Sequence, residues 1–276
     1  MAIRWSHGVV SIRVRAGAIG ETIAGRVRSI VITGASAGIG AAMARRLGRD
    51  GNKVALAARR AELLAEVTAE CGPDAIAVAT DVTRRDDVER LREEAIGAFG
   101  GIDVWINNAG RGISRPVLEL TDEDLDEMML INVKSALYGM QAIVPYFIER
   151  GHGHLINISS FLGRVPIAAH RSAYNAAKSA VNALTANVRA DVASKGIEVS
   201  LVMPGLVATE FARNVIGTPS AVPPSWTPGT AMKPQTADEV ADVIADVIAH
   251  PRAEVYTNPA SAEMARRYFE GLGAIG

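Results

Sequence analysis

The chain has 276 residues, of which 49% are hydrophobic and 21% charged, which suits one globular domain with a substantial core. A net charge of −1 argues against nucleic-acid binding, and no apolar run reaches the roughly 18 residues that suggest a membrane span. The single cysteine, Cys71, excludes an internal disulfide and argues against a cysteine-based metal site. We therefore expect a protein of a reducing, aqueous compartment, the cytoplasm.

The first 28 residues differ from the rest, since they hold five arginines and one acid, Glu21. Organelle transit peptides are also Arg-rich and acid-poor, but this segment has few serines and no apolar stretch for secretion. We expect a flexible tail or residues upstream of the true start. An arm that packs on a partner subunit is the alternative. The predicted organisation is an extension, residues 1–28, followed by a single domain, residues 29–276.

From Ser29 onward, short apolar segments alternate with amphipathic segments of helical length. The apolar segments predict seven strands, at residues 29–33, 53–57, 75–79, 102–106, 154–158, 198–202 and 253–256. The segments between them predict helices at about residues 38–50, 60–71, 84–99, 121–149 and 172–195. This alternation predicts an α/β fold of the doubly wound Rossmann type, with a parallel sheet covered on both faces. Such sheets bind ligands at the carboxyl ends of their strands.

A glycine-rich loop joins the first predicted strand to the first predicted helix, with the sequence Thr-Gly-Ala-Ser-Ala-Gly-Ile-Gly over residues 33–40. Gly34, Gly38 and Gly40 allow a tight turn and let backbone N–H groups approach a pyrophosphate at the helix N-terminus. The spacing differs from the commoner Gly-x-Gly-x-x-Gly pattern, and an ordinary tight turn is the alternative. The loop predicts a dinucleotide-binding site.

The second predicted strand ends in Ala58-Arg59-Arg60, where NAD-binding sites usually carry an acid for the ribose hydroxyls. An arginine at this point accommodates the 2′-phosphate of NADP. Cations are mildly unfavourable at a helix N-terminus, so an anionic ligand explains Arg59 better than a solvated surface charge does. The predicted cofactor is NADP(H), with NAD(H) as the alternative.

Tyr174 and Lys178 are four residues apart on a predicted helix, so their side chains share one face. A nearby positive charge lowers the pKa of a phenol from its usual value of about 10. The pair is therefore a candidate acid/base catalyst. A surface helix with a solvated lysine is the alternative that this spacing leaves open.

Together these motifs resemble the short-chain dehydrogenase/reductase family, in its single-domain branch, over about residues 29–257. Asp81-Val82 resembles the family's adenine-contacting pair, and the Asn-Asn-Ala-Gly segment 107–110 resembles its signature after the fourth strand. The resemblance implies that the cofactor is bound by Gly34, Ser36, Gly38, Ile39, Gly40, Arg59, Asp81, Val82, Asn108, Ala109, Gly110, Tyr174, Lys178, Pro204, Gly205 and Thr209. Asp81 as a turn residue and Thr209 as a helix cap are the alternatives. Ala37 departs from the basic residue that many NADP-using relatives carry there.

The resemblance also implies hydride transfer between a nicotinamide and a carbonyl or alcohol carbon, with catalytic residues Asn132, Ser160, Tyr174 and Lys178. Tyr174 would be the general acid/base, and Ser160, chosen over Ser159 by the pattern Ser-x-x-Gly, would stabilise the substrate oxygen. Lys178 would lower the pKa of the tyrosine and hold the ribose, and Asn132 would anchor a water in a proton relay. Asn107 is expected to tie strands together.

The segment 206–235 contains five prolines and resembles the family's substrate lid. The predicted substrate is a small apolar carbonyl or alcohol, in a pocket of Phe161, Leu162, Val165, Phe211 and Trp226. An anionic substrate group could contact Arg111, Arg164, His170 or Arg171, although surface placement is the preferred interpretation.

The resemblance further implies a homodimer or homotetramer through helices 121–149 and 172–195, whose second member is rich in alanine. Those alanines could equally face the sheet. The functional alternative is a catalytically silent cofactor-binding scaffold or sensor, with a lyase or isomerase as a third option.

Overall fold

The computed structural model describes residues 27–212, 215–217 and 233–271. Its sheet has seven parallel strands in the order β3-β2-β1-β4-β5-β6-β7. The strands are β1 Ser29–Thr33, β2 Lys53–Ala58, β3 Ala75–Ala79, β4 Val104–Asn107, β5 Gly153–Ile158, β6 Ile197–Met203 and β7 Glu254–Tyr256. The predicted doubly wound, Rossmann-type parallel sheet is confirmed.

Helices cover both faces of this sheet because alternate strand residues are apolar on both sides. The α-helices described are α1 Gly38–Arg49, α2 Ala61–Ala69, α3 Arg85–Phe99, α4 Asp122–Met129, α5 Ser135–Arg150, α6 Ser172–Asp191, α7 Ala237–Ala249 and α8 Pro259–Glu270. Within β1, Ile30 and Ile32 pack in the core beneath α1, α2 and α7. Val31 packs on the opposite face, beneath α3, α5 and α6.

The long helix predicted at 121–149 is interrupted. A single π-helical turn, Leu130–Lys134, separates α4 from α5. The start of α4 follows from the sequence, since Thr121 and Asp124 form a reciprocal capping box. The π-helical interruption cannot be predicted from the sequence in this way, because i→i+5 hydrogen bonding has no simple sequence signature. Such turns often accompany a functional residue.

Two helices, α7 and α8, are absent from the sequence prediction. The start of α7 carries a recognisable signal, a capping box between Thr236 and Glu239. Its apolar positions Val240, Ile244 and Val247 recur at helical spacing, and all three are buried against α1 and the sheet.

Two regions of the prediction fall largely outside the described residues. They are residues 1–26 of the predicted extension and residues 213–214 and 218–232 of the predicted lid, including Trp226. Over the described ranges, no helix has the length and apolar character required to cross a bilayer.

Candidate active site

A cavity of about 740 Å³ opens at the carboxyl ends of the strands, within the size range of small-molecule sites. It is formed by the glycine loop after β1, by segments that follow the other central strands, and by the first turns of α6. All the predicted site residues line this cavity except Asp81 and Asn132. The parallel topology brings them together, because it directs every strand's carboxyl end to one edge.

The glycine loop is shaped by two residues with left-handed backbone, Gly34 at φ +69° and Gly38 at φ +55°. A Cβ on Gly34 would lie 2.8 Å from Ala109 Cα, and one on Gly40 would collide with the Gly34 carbonyl. Only glycine therefore lets α1 begin so close to the loop. The result is a concave backbone surface at the N-terminus of a helix.

The loop is locked to the segment after β4 by hydrogen bonds around Thr33. The Thr33 hydroxyl accepts from the backbone N–H groups of Asn108 at 3.0 Å and Ala109 at 3.1 Å. In return, Asn108 Nδ2 donates to the Thr33 carbonyl at 2.8 Å. Asn108, predicted to bind the cofactor, thus also holds the cradle in shape.

Ser160, Tyr174 and Lys178 meet in the same cavity. The Ser160 hydroxyl is near enough to the Tyr174 phenol to lower its pKa, and Lys178 Nζ lies 5.8 Å from the centre of the tyrosine ring. Lys178 Nζ also donates to the Ile158 carbonyl at 3.0 Å. All three side chains are buried. The alternative of a solvated surface lysine is therefore wrong.

The neighbouring serine has a different environment. The hydroxyl of Ser159 lies 2.5 Å from Asn182 Oδ1 and 3.2 Å from the Lys178 carbonyl. Ser159 therefore fastens the end of β5 to α6, whereas Ser160 faces the phenol.

Burial sets the pKa values of the two ionisable groups. It raises the pKa of Tyr174, and the nearby Ser160 hydroxyl and the positive charge of Arg171 act in the opposite direction. Burial also lowers the pKa of Lys178 to about 8. The expectation that Lys178 lowers the pKa of Tyr174 stays a prediction, and Arg171 is a second cation near the phenol, which the sequence pattern does not identify in this role.

Asn132 lies in the π-helical turn, buried behind the cavity. Its Oδ1 accepts from the Arg111 backbone N–H at 3.2 Å, and its Nδ2 donates to the Arg111 carbonyl at 3.0 Å. A Cβ on Gly110 would be 2.7 Å from Asn132 Oδ1 and 3.5 Å from Lys178 Nζ. Asn132 thus holds the segment of Gly110 and Arg111, which follows β4 and passes between Asn132 and Lys178.

Asn107 ties β4 to β5, as expected. Its Nδ2 donates at 2.8 Å to Oδ1 of Asn157, the residue directly opposite on β5. Its Oδ1 accepts from Trp105 Nε1 at 2.8 Å, and Asn157 Nδ2 donates to the Thr185 hydroxyl at 3.0 Å. This fully buried chain links α6 to the sheet, and the sequence pattern does not identify Asn157 or Thr185 as its members.

The arginines after β2 line the cavity, whereas Asp81, after β3, does not. Arg59 and Arg60 both line the cavity, and Arg60 donates to the Ser36 hydroxyl at 3.0 and 3.3 Å. Asp81 instead accepts at Oδ1 from the Thr83 hydroxyl at 2.7 Å and its backbone N–H at 3.0 Å. Burial raises the pKa of Asp81, but these bonds together with the charges of Arg59 and Arg84 lower it overall.

The substrate end of the cavity has an apolar wall of Leu162, Phe211 and Val215, with the Phe211 and Tyr174 ring centres 5.7 Å apart. Phe161 lines the cavity, but its buried ring also packs edge-on against Tyr256. Val165 is not part of this wall, since it packs in a separate cluster under α8. The prediction of Val165 as a pocket residue is therefore wrong.

The four residues that could contact an anionic substrate group lie in different environments. Arg111 lines the cavity and pairs with Glu127 at 2.6 Å, while Arg164 pairs with Glu254 at 2.6 Å outside it. His170 does not line the cavity. Arg171 is half-buried in the cavity wall, so surface placement is wrong for this residue.

Comparison with known proteins places these features in a family. The sequence model described as short chain dehydrogenase matches residues 28–219. An uncharacterized oxidoreductase of Staphylococcus aureus (strain MW2) is 38% identical over 180 residues, which are 65% of this chain and 78% of that protein.

Solved structures of similar fold are consistent with this family match. A short-chain dehydrogenase/reductase from Burkholderia phymatum in complex with NAD superposes with a TM-score of 0.78 and 26% identity, over 89% of this chain and 94% of that one. A serine dehydrogenase complexed with NADP+ gives a TM-score of 0.74 and 30% identity, over 84% and 95%.

The seven-stranded parallel sheet and the glycine loop first define a protein with a Rossmann-like fold. Because the family match extends over most of the chain, the protein belongs to the short-chain dehydrogenase/reductase family of oxidoreductases. The expected family resemblance is therefore confirmed.

Proposed function

We propose that this protein is an NADP(H)-dependent oxidoreductase that interconverts a carbonyl compound and an alcohol, with Tyr174 as general acid/base. The observation that carries the proposal is the convergence of Ser160, Tyr174 and Lys178, all buried, in the same cavity as the glycine loop. A phenol, a hydroxyl and an ammonium converge where a carbonyl oxygen could be bound.

The chain's residues fit a dinucleotide. The concave backbone at Gly34 and Gly38 leaves room that a Cβ would fill, and it lies at the N-terminus of α1, which favours a pyrophosphate. Along the same cavity, the proposed contacts continue through Val82, Asn108 and Ala109 to Pro204, Gly205 and Thr209. When bound, the nicotinamide of such a cofactor supplies or accepts a hydride.

The side chains of this protein would supply the proton and hold the substrate oxygen. In reduction, the Tyr174 phenol gives its proton to that oxygen, and in oxidation it takes the proton from the hydroxyl. Ser160 hydrogen-bonds the oxygen and stabilises the charge that develops there. Lys178 contributes a buried positive charge beside the phenol. Asn132 would anchor a water in a proton relay behind Lys178.

NADP(H) is favoured over NAD(H) by the residues after β2. Arg59 and Arg60 give this end of the cavity two cations and no acid, and Arg60 already contacts Ser36 of the glycine loop. A 2′-phosphate suits such a site, because guanidinium groups bind phosphates in bidentate geometry. Of the two solved structures described above, one is in complex with NAD and the other with NADP+. The proposed preference for NADP(H) therefore rests on Arg59 and Arg60.

The central test is turnover of a panel of ketones, aldehydes and secondary alcohols, with wild type and Tyr174→Phe. We expect the variant to bind NADPH normally and to lose at least about 100-fold in kcat, since general acid catalysis contributes about 10²–10⁴-fold. Tyr138→Phe on α5, outside the cavity, is the matched control and should keep full activity. Cofactor binding without turnover by wild type would favour the silent scaffold instead.

Cofactor preference is tested by comparing kcat/KM for NADPH and NADH. Arg59→Ala and Arg60→Ala should each lower kcat/KM for NADPH by about 10-fold or more, because a charge-assisted hydrogen bond contributes about 1.5–3 kcal/mol. The values for NADH should change little. A wild-type enzyme that uses NADH as well as NADPH would contradict the assignment.

We also propose that the protein assembles as a homodimer or homotetramer through α4, α5 and α6. On α6 the alanines divide: Ala173 and Ala177 are buried, whereas Ala176, Ala183 and Ala186 are exposed. The exposed set would allow close approach of a second helix. Light scattering on the purified chain would give the assembled mass, and the mass of a monomer would refute the proposed assembly.

A further inference from the structure

Arg171 stands out among the residues that line the cavity. It immediately precedes α6 and lies one helical turn before Tyr174. Its guanidinium, Phe211 and Val215 surround Gly112, where an added Cβ would be 3.1 Å from Arg171 Nη1 and 3.0 Å from the Phe211 ring. The cation is therefore seated in the apolar wall that faces the proposed substrate.

This guanidinium has no carboxylate partner among the described residues. Its Nη1 donates to the Ile113 carbonyl at 3.1 Å. Among the described side chains, only the Tyr174 phenol raises the pKa of Arg171, and that phenol is uncharged at neutral pH. Other arginines nearby are neutralised, Arg111 by Glu127 and Arg115 by Asp124. The segments 213–214 and 218–232 contain no acidic residue in their sequence.

A half-buried charge without a counterion costs free energy, because it loses hydration without an ion pair in return. Burial accordingly lowers the pKa of Arg171, although a guanidinium remains charged at neutral pH. Of its five N–H donors, the bond to Ile113 uses one. An anionic ligand in the cavity would supply both the missing charge and the missing acceptors.

We propose that Arg171 binds a carboxylate of the substrate, so that the enzyme acts on oxo acids and the corresponding hydroxy acids. This inference rests on the proposed oxidoreductase function. The carbonyl oxygen would lie at Ser160 and Tyr174, the carboxylate at Arg171, and the carbon chain against Phe211 and Leu162. Among the described residues at this end of the cavity, Arg171 is the one guanidinium without a carboxylate partner. One such group matches a monovalent carboxylate better than a phosphate, whose charge is about −1.5 to −2.

The reaction leaves the carboxylate unchanged. In reduction, the carbonyl carbon gains a hydride from the cofactor and the oxygen gains the Tyr174 proton, which gives a hydroxy acid. Arg171 takes no part in bond making, and although its charge lowers the pKa of Tyr174, the phenol stays protonated at neutral pH with or without it. It is a specificity-determining residue, and its loss should affect substrates with a carboxylate and spare those without one.

The test uses the full chain with NADPH and NADH, and pairs of 2-oxo, 3-oxo, 4-oxo and 5-oxo acids with their methyl esters. For wild type, we expect kcat/KM for at least one acid to exceed that for its ester. Arg171→Gln should lower kcat/KM for that acid by about 10- to 100-fold, mostly through KM, and leave the ester within about 3-fold. Arg171→Lys, which keeps the charge, should recover part of the loss.

Arg189→Gln is the matched control. Arg189 is also half-buried, and it donates to the carbonyls of Val199 at 2.9 Å and Ala253 at 2.5 Å, away from the cavity. It should not change the ratio of acid to ester. If Arg171→Gln lowers both substrates of a pair equally, or if wild type prefers the esters, Arg171 is structural and the inference fails, while turnover itself upholds the oxidoreductase.

Absence of turnover on every carbonyl would instead count against the proposed function. A calorimetric titration then decides the inference separately, with butyrate and butyramide as probes in the presence and absence of NADPH. Binding of butyrate alone, lost in Arg171→Gln and retained in Arg189→Gln, supports a carboxylate site. Equal binding of the two probes, or none of butyrate, overturns it.

Discussion

At the scale of single residues, the environment of one phenol governs the proposed chemistry. Tyr174 is buried, and burial raises its pKa, while Ser160 and Arg171 act in the opposite direction. The phenol is therefore protonated at neutral pH. A protonated phenol is the form that donates to a carbonyl oxygen, so this environment suits reduction more than oxidation.

The pH dependence of the two directions should therefore differ. We expect kcat/KM for carbonyl reduction to stay level between about pH 6 and about pH 8 and to fall where the phenol loses its proton. Alcohol oxidation needs the phenolate, so its rate should climb with pH over the same range. Steady-state profiles in both directions check this. Two profiles of the same shape would mean that Tyr174 does not carry the proton.

At the scale of elements, the position of Lys178 depends on how closely the turn after β5 approaches α6. The short 3₁₀ turn Phe161–Gly163 rests on this helix at Gly163. A Cβ there would be 2.7 Å from the Lys178 carbonyl carbon and 2.8 Å from Lys178 Cβ. Asn182 and Ser179 both donate to the Gly163 carbonyl, at 2.9 and 2.8 Å.

Gly163→Ala should push the turn away from α6 and separate Ser160 from Tyr174. Overpacking of this kind costs about 1–3 kcal/mol of unfolding free energy, and we expect kcat to fall by about 10-fold or more. Urea denaturation and steady-state kinetics measure the two effects. The matched control is Gly97→Ala in α3, where an added Cβ meets nothing within 4 Å. Unchanged activity in Gly163→Ala would show that the close approach is not needed.

At the scale of the molecule, the sheet separates the candidate site from a buried histidine at the amino end of β5. His154 Nε2 lies 2.8 Å from the Ser200 hydroxyl, which donates its own proton to the Arg252 carbonyl at 2.6 Å. The Nε2 atom must therefore donate, and Nδ1 has no partner among the described residues. Burial, together with the charge of Arg28, lowers the pKa of His154 to about 4.

This histidine makes folding stability depend on pH. At this residue the unfolded chain takes up a proton below about pH 6.5 and the folded chain only below about 4, so the contribution of His154 to stability is constant above about pH 6.5 and falls as the pH decreases between these values. The loss should total about 3 kcal/mol at most. Urea midpoints across this window should show the decline in wild type and in His250→Gln, a surface control. A decline of the same size in His154→Gln would assign it to other groups.

Much of the architecture follows from local sequence. The strand at 29–33 is predicted with its observed ends, because a buried parallel strand is a short apolar run bounded by turn signals. The glycine loop and the register of Tyr174 with Lys178 are equally local patterns. Helix α7 has a local signal of the same kind, the capping box between Thr236 and Glu239.

Other features have no local signature. The sequence by itself determined the parallel α/β fold and which side chains gather at one edge of the sheet, because periodicity and turn residues act over a few positions. The tertiary structure alone decided that Val165 leaves the pocket, that Asn107, Asn157 and Thr185 join across three elements, and that the charge of Arg171 acts on the phenol. Burial and charge at each point depend on contacts between segments far apart in the chain, and those exist only once the chain has folded.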